Sequence, residues 1–352
     1  MKILFCINSL RVGGAERMVV ELSKVMVSNH DITILSISDD VTSSWIEELN
    51  KLGVKCITLG GSYCSLRNII KTYQIIQRER FDVVHTHLTY AQIYGAFIQP
   101  FYKKCKWVTT EHSNNNNRRK YKLFKIFDRW LYQGYDSVLS ISSSVQESLL
   151  KWLRSPCLSK FAICPNGVNT ELFRNASTMD RRSIELSDND VVLMMVGRMA
   201  DAKDSPTIMR ALKLLPDRYK LVLIGDGPMM DYNKKYADEI GVAHKTVFLG
   251  AQYNIPSWMK MADVYIQSSH WEGMPTTVLE AMASGVVVIG SNVPGNNDVL
   301  TSSAMFPHED HETLVTMLLE SDLETLREEQ QQVIMQYDLR AISNKLISVY
   351  DQ

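Results

Sequence analysis

Along the chain, short apolar runs alternate with longer amphipathic stretches. KILFCI, DITILSI, KCITL, DVVHTH, KWVTT and SVLSIS are rich in β-branched and apolar residues and predict strands. Between them, MVVELSKVMV, NIIKTYQIIQRE and VQESLLKWL carry apolar residues at helical spacing. Such alternation predicts βα units around a parallel sheet. The pattern lapses near 166–190, where NGVNTELFRNASTMDRRSIELSDND is polar and aperiodic. It then restarts with VVLMMVG, YKLVLIG, TVFLG, DVYIQSS and VVVIGS as strands and SPTIMRALKLL among the helices. Two doubly wound α/β domains are therefore expected, over 1–170 and 171–335. A last helix within 336–352 can pack back on the first of them. Sheets of this kind bind ligands outside the carboxyl ends of their strands, so the expected site is a deep cleft between the domains.

The length of 352 residues suits two such domains. Hydrophobic residues make up 45% and charged residues 22%, the balance of a soluble globular protein. No apolar run reaches the roughly 18–20 residues of a membrane span. MKILFCINSLR does not read as a signal peptide, because its apolar stretch is short and no small-residue cleavage site follows. The six cysteines, Cys157 among them, are scattered without a C-x-x-C pair and read as reduced thiols in a cytosolic protein. A net charge of −1 gives no reason to expect nucleic acid. Charge is unevenly divided, however. Residues 1–165 carry 22 Lys and Arg against 13 Asp and Glu, whereas residues 166–352 carry 16 against 26. The first half is thus expected to face an anionic surface or substrate. Ser113–Asn117, SNNNN, reads as a surface loop.

Polar chemistry gathers just after the strands. Gly13 and Gly14 precede a helical pattern, and such a turn lets backbone N–H groups approach a phosphate. It matches neither G-x-G-x-x-G nor a P-loop, which weighs against NAD and NTP chemistry. His85 and His87 end one strand. They could hold a metal but have no third ligand nearby, so a single histidine lining the site is the better reading. Glu111 and His112 end the next. Asp188-Asn189-Asp190 imitates a metal-binding D-x-D but sits before a strand, where a turn is expected. Arg198 and Lys203 share one loop and suit an anion with several oxygens. IGDGPMM is a turn offering Asp226. In HWEGMPTTVLEAMASG, Glu272 precedes a helix begun by Pro275 and ended by Gly285, and Glu280 lies within it. Free N–H groups at that helix start favour an anion. One carboxylate on each side could accept bonds from vicinal hydroxyls, matching a nucleotide sugar's order of sugar, diphosphate and ribose.

Taken in order, GGAER, DVVHTH, TEHS, PNGVN, GR with Lys203, GDGP, FLG and E-x7-E span nearly the whole chain. The set resembles the family-4 retaining glycosyltransferases of the GT-B fold, including those that build bacterial surface polysaccharides. The resemblance implies two Rossmann-like domains, the first binding acceptor and the second a nucleotide sugar, with UDP-sugar as donor. It implies that Arg198 and Lys203 neutralise the leaving diphosphate. Glu272 would bind donor-sugar hydroxyls with the backbone of Gly273, Met274 and Pro275, and Glu280 the ribose. Gly13 and Gly14 would approach the phosphate, and His112 would line the sugar near the reacting carbon. No cofactor or metal is implied. The chain departs from the family in having Asn169 where Asp is common. It also has Pro294-Gly295-Asn296-Asn297-Asp298 where G-G-x-x-E is common, so Asp298 stands in at shorter reach.

The resemblance also implies a glycan or lipid-linked glycan acceptor. In NNRRKYKLFKIFDRWLYQ, Arg118, Arg119, Lys120 and Lys122 accompany Leu123, Phe124, Ile126, Phe127 and Trp130. This segment is expected on the acceptor or membrane side, with the protein peripheral on the cytoplasmic face of the inner membrane. The competing reading is that its apolar residues fill the domain core. Two alternatives to sugar transfer are another GT-B activity, such as nucleotide-sugar epimerisation or glycan phosphorolysis, and a non-catalytic sugar-nucleotide-binding scaffold.

Overall fold

A computed structural model describes residues 1–114, 117–154 and 159–352. Asn115, Asn116 and Cys157 lie outside the described residues. The chain divides into two compact units, 1–166 with 339–352, and 167–338. These divisions fall a few residues from the boundaries at 170 and 335 expected above.

The first unit is built on a seven-stranded sheet. Its strands are β1 (Lys2–Ile7), β2 (Asp31–Ser36), β3 (Lys55–Thr58), β4 (Val83–His87), β5 (Lys106–Glu111), β6 (Ser137–Ser140) and β7 (Phe161–Ile163). Their order is β3-β2-β1-β4-β5-β6-β7, and every pair is parallel. Parallel sheets are covered on both faces, which explains why β1 is apolar throughout. Ile3, Phe5 and Ile7 pack toward the helix Gly14–Met26 and the C-terminal helix Leu339–Tyr350. Leu4 and Cys6 face the opposite layer with Ile76, Tyr94 and Leu131. The two-residue period of a strand thus feeds two separate cores.

The second unit carries β8 (Val191–Val196), β9 (Tyr219–Ile224), β10 (Thr246–Gly250), β11 (Val264–Gln267), β12 (Val287–Ser291) and β13 (Met305–Phe306). Their order is β10-β9-β8-β11-β12-β13, again all parallel. Helix starts are set locally by polar caps. Asp204 accepts from Thr207 N at the helix Ser205–Leu214, and Asp310 accepts from Thr313 N at His311–Glu320.

Both sheets are Rossmann-like, and in each the strand order reverses beside the first strand. That reversal lies between β1 and β4 in one unit and between β8 and β11 in the other. The carboxyl ends on either side of such a switch point open a crevice that no crossover helix covers. The loops that follow β1, β4, β8 and β11 carry most of the chemistry noted above. No helix among the described residues is long and apolar enough to cross a membrane.

Candidate active site

At the switch point of the second unit, Lys203 follows β8 and Glu272 follows β11. Lys203 Nζ donates to Glu272 Oε1 at 2.6 Å, with the two side chains 15% and 14% exposed. The same carboxylate oxygen accepts from Gln267 Nε2 and from Ser269 Oγ, each at 2.7 Å. Gln267 is held in turn: its Oε1 lies 2.9 Å from the hydroxyl of Tyr265 and accepts from Thr277 Oγ1 at 3.3 Å. These hydroxyls fix which end of the amide points at Glu272. Sequence reasoning missed Gln267 and Ser269. The available signal was a glutamine ending the otherwise apolar run VYI, a polar residue that is fully buried at 0% exposure and therefore needs partners.

Two backbone contacts position this pair. Glu272 N donates to Pro294 O at 3.2 Å. Gly295 has φ +94°, and a Cβ there would lie 2.7 Å from Glu272 Cβ and 2.8 Å from its carbonyl. The loop that departs from the family pattern is thus a backrest for Glu272. Gly295→Ala is expected to displace the carboxylate and lower activity by about 10²-fold, the scale of a misplacement near 1 Å. Steady-state kinetics on a variant with an unchanged circular dichroism spectrum checks this.

Arg198 is exposed on the loop after β8. That loop packs backbone to backbone on the GDGP turn, with Met199 N donating to Asp226 O at 3.0 Å. Gly225, at φ +130°, is required there, because a Cβ would lie 1.9 Å from Gly197 O. Gly273, Met274 and Pro275 lead into the helix Thr276–Ala283, where Pro275 is the N-cap and supplies no side-chain acceptor. Glu280 is buried at 5% within that helix. Asp298 is half-buried. Asp188 pairs with Arg182 at 2.5 Å, and Asp190 accepts from Ser187 N at 2.7 Å, so the D-x-D look-alike is a turn.

In the first unit, Gly13 caps the helix Gly14–Met26, and Gly14 is exposed. Glu16 folds back over Gly13 and accepts from Ser9 Oγ at 3.4 Å. A carboxylate already complements that helix start, which weakens its reading as a bare anion site. His112 Nε2 lies 3.0 Å from His87 Nδ1, so His87 orients the His112 ring. His85 uses both ring nitrogens, with Tyr350 Oη at 2.6 Å and Thr110 Oγ1 at 2.7 Å. Those hydroxyl partners leave His85 unsuited to a metal. Glu111 is tied to the Tyr132 hydroxyl and to Arg119, the latter at 3.4 Å, and so supports the fold.

Burial holds these imidazoles neutral. The His85 pKa is pushed down to about 3 by burial and then by His112. Burial also lowers His112 to about 4, and places His87 well below its ordinary value. The unfolded chain takes up these protons below about pH 6.5, whereas the folded chain does not. Stability therefore falls as pH drops from about 6.5 toward 4, with each histidine adding a slope of up to about 1.4 kcal/mol per pH unit. Urea unfolding at about pH 7 and about pH 5 measures it, and His85→Gln should flatten the profile.

The expectation for Arg118 and Arg119 needs correction. Arg118 is only 8% exposed, and its Nε pairs with the buried Asp128 Oδ1 at 2.9 Å. Arg119 pairs with Glu111 and donates to Ser148 Oγ at 3.1 Å. Buried carboxylates require these cations, so neither guanidinium is presented to a membrane. Lys120 and Lys122 are exposed. The core-filling reading of this segment also fails in part. Leu123 is 87% and Ile126 74% exposed, while Asp128, Leu131 and Tyr132 are the buried residues of the helix Phe124–Gln133.

Comparison with known proteins covers both units. Residues 12–172 match the model of Glycosyltransferase Family 4, and 177–330 match Glycosyl transferases group 1. An Escherichia coli UDP-Gal:α-D-GlcNAc-diphosphoundecaprenol α-1,3-galactosyltransferase is 29% identical over 66% of this chain and 63% of its own length. A Campylobacter jejuni α-1,4-N-acetyl-D-galactosaminyltransferase, named for a GalNAc-containing diNAcBac-PP-undecaprenol acceptor, is 23% identical over 83% of this chain and 79% of its own. Among solved structures, Anabaena HepE in complex with UDP superposes with a TM-score of 0.85 at 19% identity, covering 100% of both chains. The shared architecture is GT-B.

Proposed function

The chain belongs to the family-4, group 1 glycosyltransferases of the GT-B fold, and on that premise we propose that it moves a sugar from a UDP-sugar to a lipid-linked oligosaccharide during surface-polysaccharide assembly, retaining the anomeric configuration. The observation that carries this reading is the Lys203–Glu272 pair, held by Gln267 and Ser269 at the carboxyl ends of β8 and β11. It fixes a cation and a carboxylate side by side, as a ligand with a diphosphate next to a hydroxyl-bearing ring requires. Arg198 adds a second, exposed cation to the same loop.

Cleavage of the donor's glycosidic C–O bond leaves negative charge on the departing diphosphate. Lys203, Arg198 and the start of the helix Thr276–Ala283 would stabilise that charge as it develops. Glu272 accepts hydrogen bonds from donor-sugar hydroxyls, and Glu280 from the ribose. In the first unit, the family pattern assigns Gly13 and Gly14 to phosphate approach and His112 to the sugar. No metal takes part. The lipid-linked acceptor is favoured by two relatives named for undecaprenol-linked acceptors. The test is nucleotide release from a panel of UDP-, GDP- and ADP-sugars with a lipid-linked glycan extract. Release from a UDP-sugar that needs the extract supports transfer. Nucleotide binding without release from any donor would favour a scaffold.

Peripheral contact with an anionic membrane fits the same acceptor. Tyr121, Leu123 and Ile126 are 65%, 87% and 74% exposed, and Lys120 and Lys122 stand among them. Apolar insertion next to basic residues, each worth about 1 kcal/mol near anionic lipid, makes an interfacial anchor. Leu123→Asp with Ile126→Asp is expected to reduce co-sedimentation with anionic liposomes by about 10-fold or more. Equal sedimentation of variant and parent would rule this anchor out.

A further inference from the structure

We propose that His270, His308 and Glu309, with Asp204 behind them, form a binding site for a divalent cation of the zinc class. The four residues come from three places in the second unit. His270 follows β11, His308 and Glu309 form the turn after β13, and Asp204 caps the helix Ser205–Leu214. One ligand atom each from Asp204, His270 and His308 lies within 4.8 Å of the others. His270 Nδ1 is 2.7 Å from His308 Nε2 and 3.6 Å from Glu309 Oε1, and the third edge is 4.0 Å. A tetrahedral zinc with bonds of about 2.0–2.2 Å needs ligand edges of about 3.4 Å. The edges among His270, His308 and Glu309 bracket that value, and the two rings must part by about 0.7 Å to meet it.

The donor set chooses the ion. Two imidazoles and carboxylate oxygens suit zinc and its neighbours in the transition series, whereas magnesium and calcium take oxygen ligands. Two carboxylates also balance the double positive charge of the ion. Asp204 is buried and oriented: Oδ1 accepts from Thr207 N at 3.1 Å and Oδ2 from Ser268 Oγ at 3.2 Å. Its carboxylate keeps further lone pairs for an ion. His308 and Glu309 are 39% and 57% exposed, so an ion can enter from solvent and a water can complete its shell. Glu309 also has φ +64°, a left-handed conformation that non-glycine residues rarely adopt. Its carboxylate faces both rings.

The site would act as a brace and not in the sugar-transfer step. His270 N donates to Ala202 O at 2.9 Å, and Lys203 bridges Ser269. A cation on His270 and His308 would therefore tie the turn after β13 to both loops that carry the Lys203–Glu272 pair.

The test uses full-length protein stripped with a chelator. It is titrated with Zn2+ against a chromophoric chelator, and separately with Co2+, whose visible absorption reports four-coordinate ligation. One tight site is expected, weakened at least ~10-fold in His308→Ala and in Glu309→Gln, with the Co2+ band lost in His308→Ala. Saturating Zn2+ should raise the parent's Tm and leave that of His308→Ala unmoved. Should His308→Ala misfold, His308→Gln and Glu309→Gln carry the same comparison at exposed positions. Zn2+ affinity equal in parent and variants, or none in the parent, would mean a hydrogen-bonded imidazole pair only. None of these readouts depends on sugar transfer.

Discussion

Lys203→Ala is expected to lower sugar transfer by about 10²–10³-fold or more, the scale seen when one stabiliser of transition-state charge is removed. Glu272→Gln should do comparable damage from the hydroxyl side. The fold should survive both changes. The side chains are 15% and 14% exposed, so losing one partner should cost less than the about 3–5 kcal/mol of a fully buried pair. Without the lysine, Glu272 still accepts from Gln267 and Ser269. Activity and stability should thus separate: a large fall in kcat/KM with only a modest fall in Tm. Lys203→Arg should recover only part of the rate, because a planar fork cannot reproduce a point charge in the same contact. The double variant should be little worse than either single one, since the two side chains act as a unit. Full activity in Lys203→Ala would remove the lysine from the mechanism.

Asp128→Ala should destabilise the protein by about 3–5 kcal/mol, the cost of leaving a buried charge without its partner. Asp128 is 1% exposed and Arg118 8%. The carboxylate also accepts from Trp152 Nε1 at 2.9 Å, so its loss strands an indole N–H as well. Against a total stability of roughly 5–15 kcal/mol, such a loss would show as a marked fall in the urea midpoint. Lys122→Ala, on the same segment but exposed, should change the midpoint little. Equal and small effects from both would contradict the buried pairing.

The fold was largely legible because parallel strands buried on both faces appear as unbroken apolar runs. β7 and β13 escaped notice because Phe161–Ile163 and Met305–Phe306 are too short to show a period. The positions of Arg198, Lys203, Glu272 and Glu280 could be read because each follows a strand or lies in a capped helix. Their support could not. Gln267 and Ser269 gain meaning only through the turn that aims them at Glu272, and Gly225 only through the backbone it meets. Arg118 misled for a related reason: a basic residue in a basic run looks solvated until a buried Asp128 is found beside it. His270 and His308 stand 38 residues apart, and only the order β11-β12-β13 brings them together.

The most direct measurement is the mass of a lipid-linked oligosaccharide after incubation with UDP-sugars, with the parent protein and Glu272→Gln run side by side. The parent should add the mass of a single sugar from one UDP-sugar, and the variant should leave the acceptor unchanged. An unmodified acceptor with every UDP-sugar, despite binding of UDP, would contradict the assignment as a UDP-sugar transferase. Equal product from Glu272→Gln would leave the transferase standing and overturn the site.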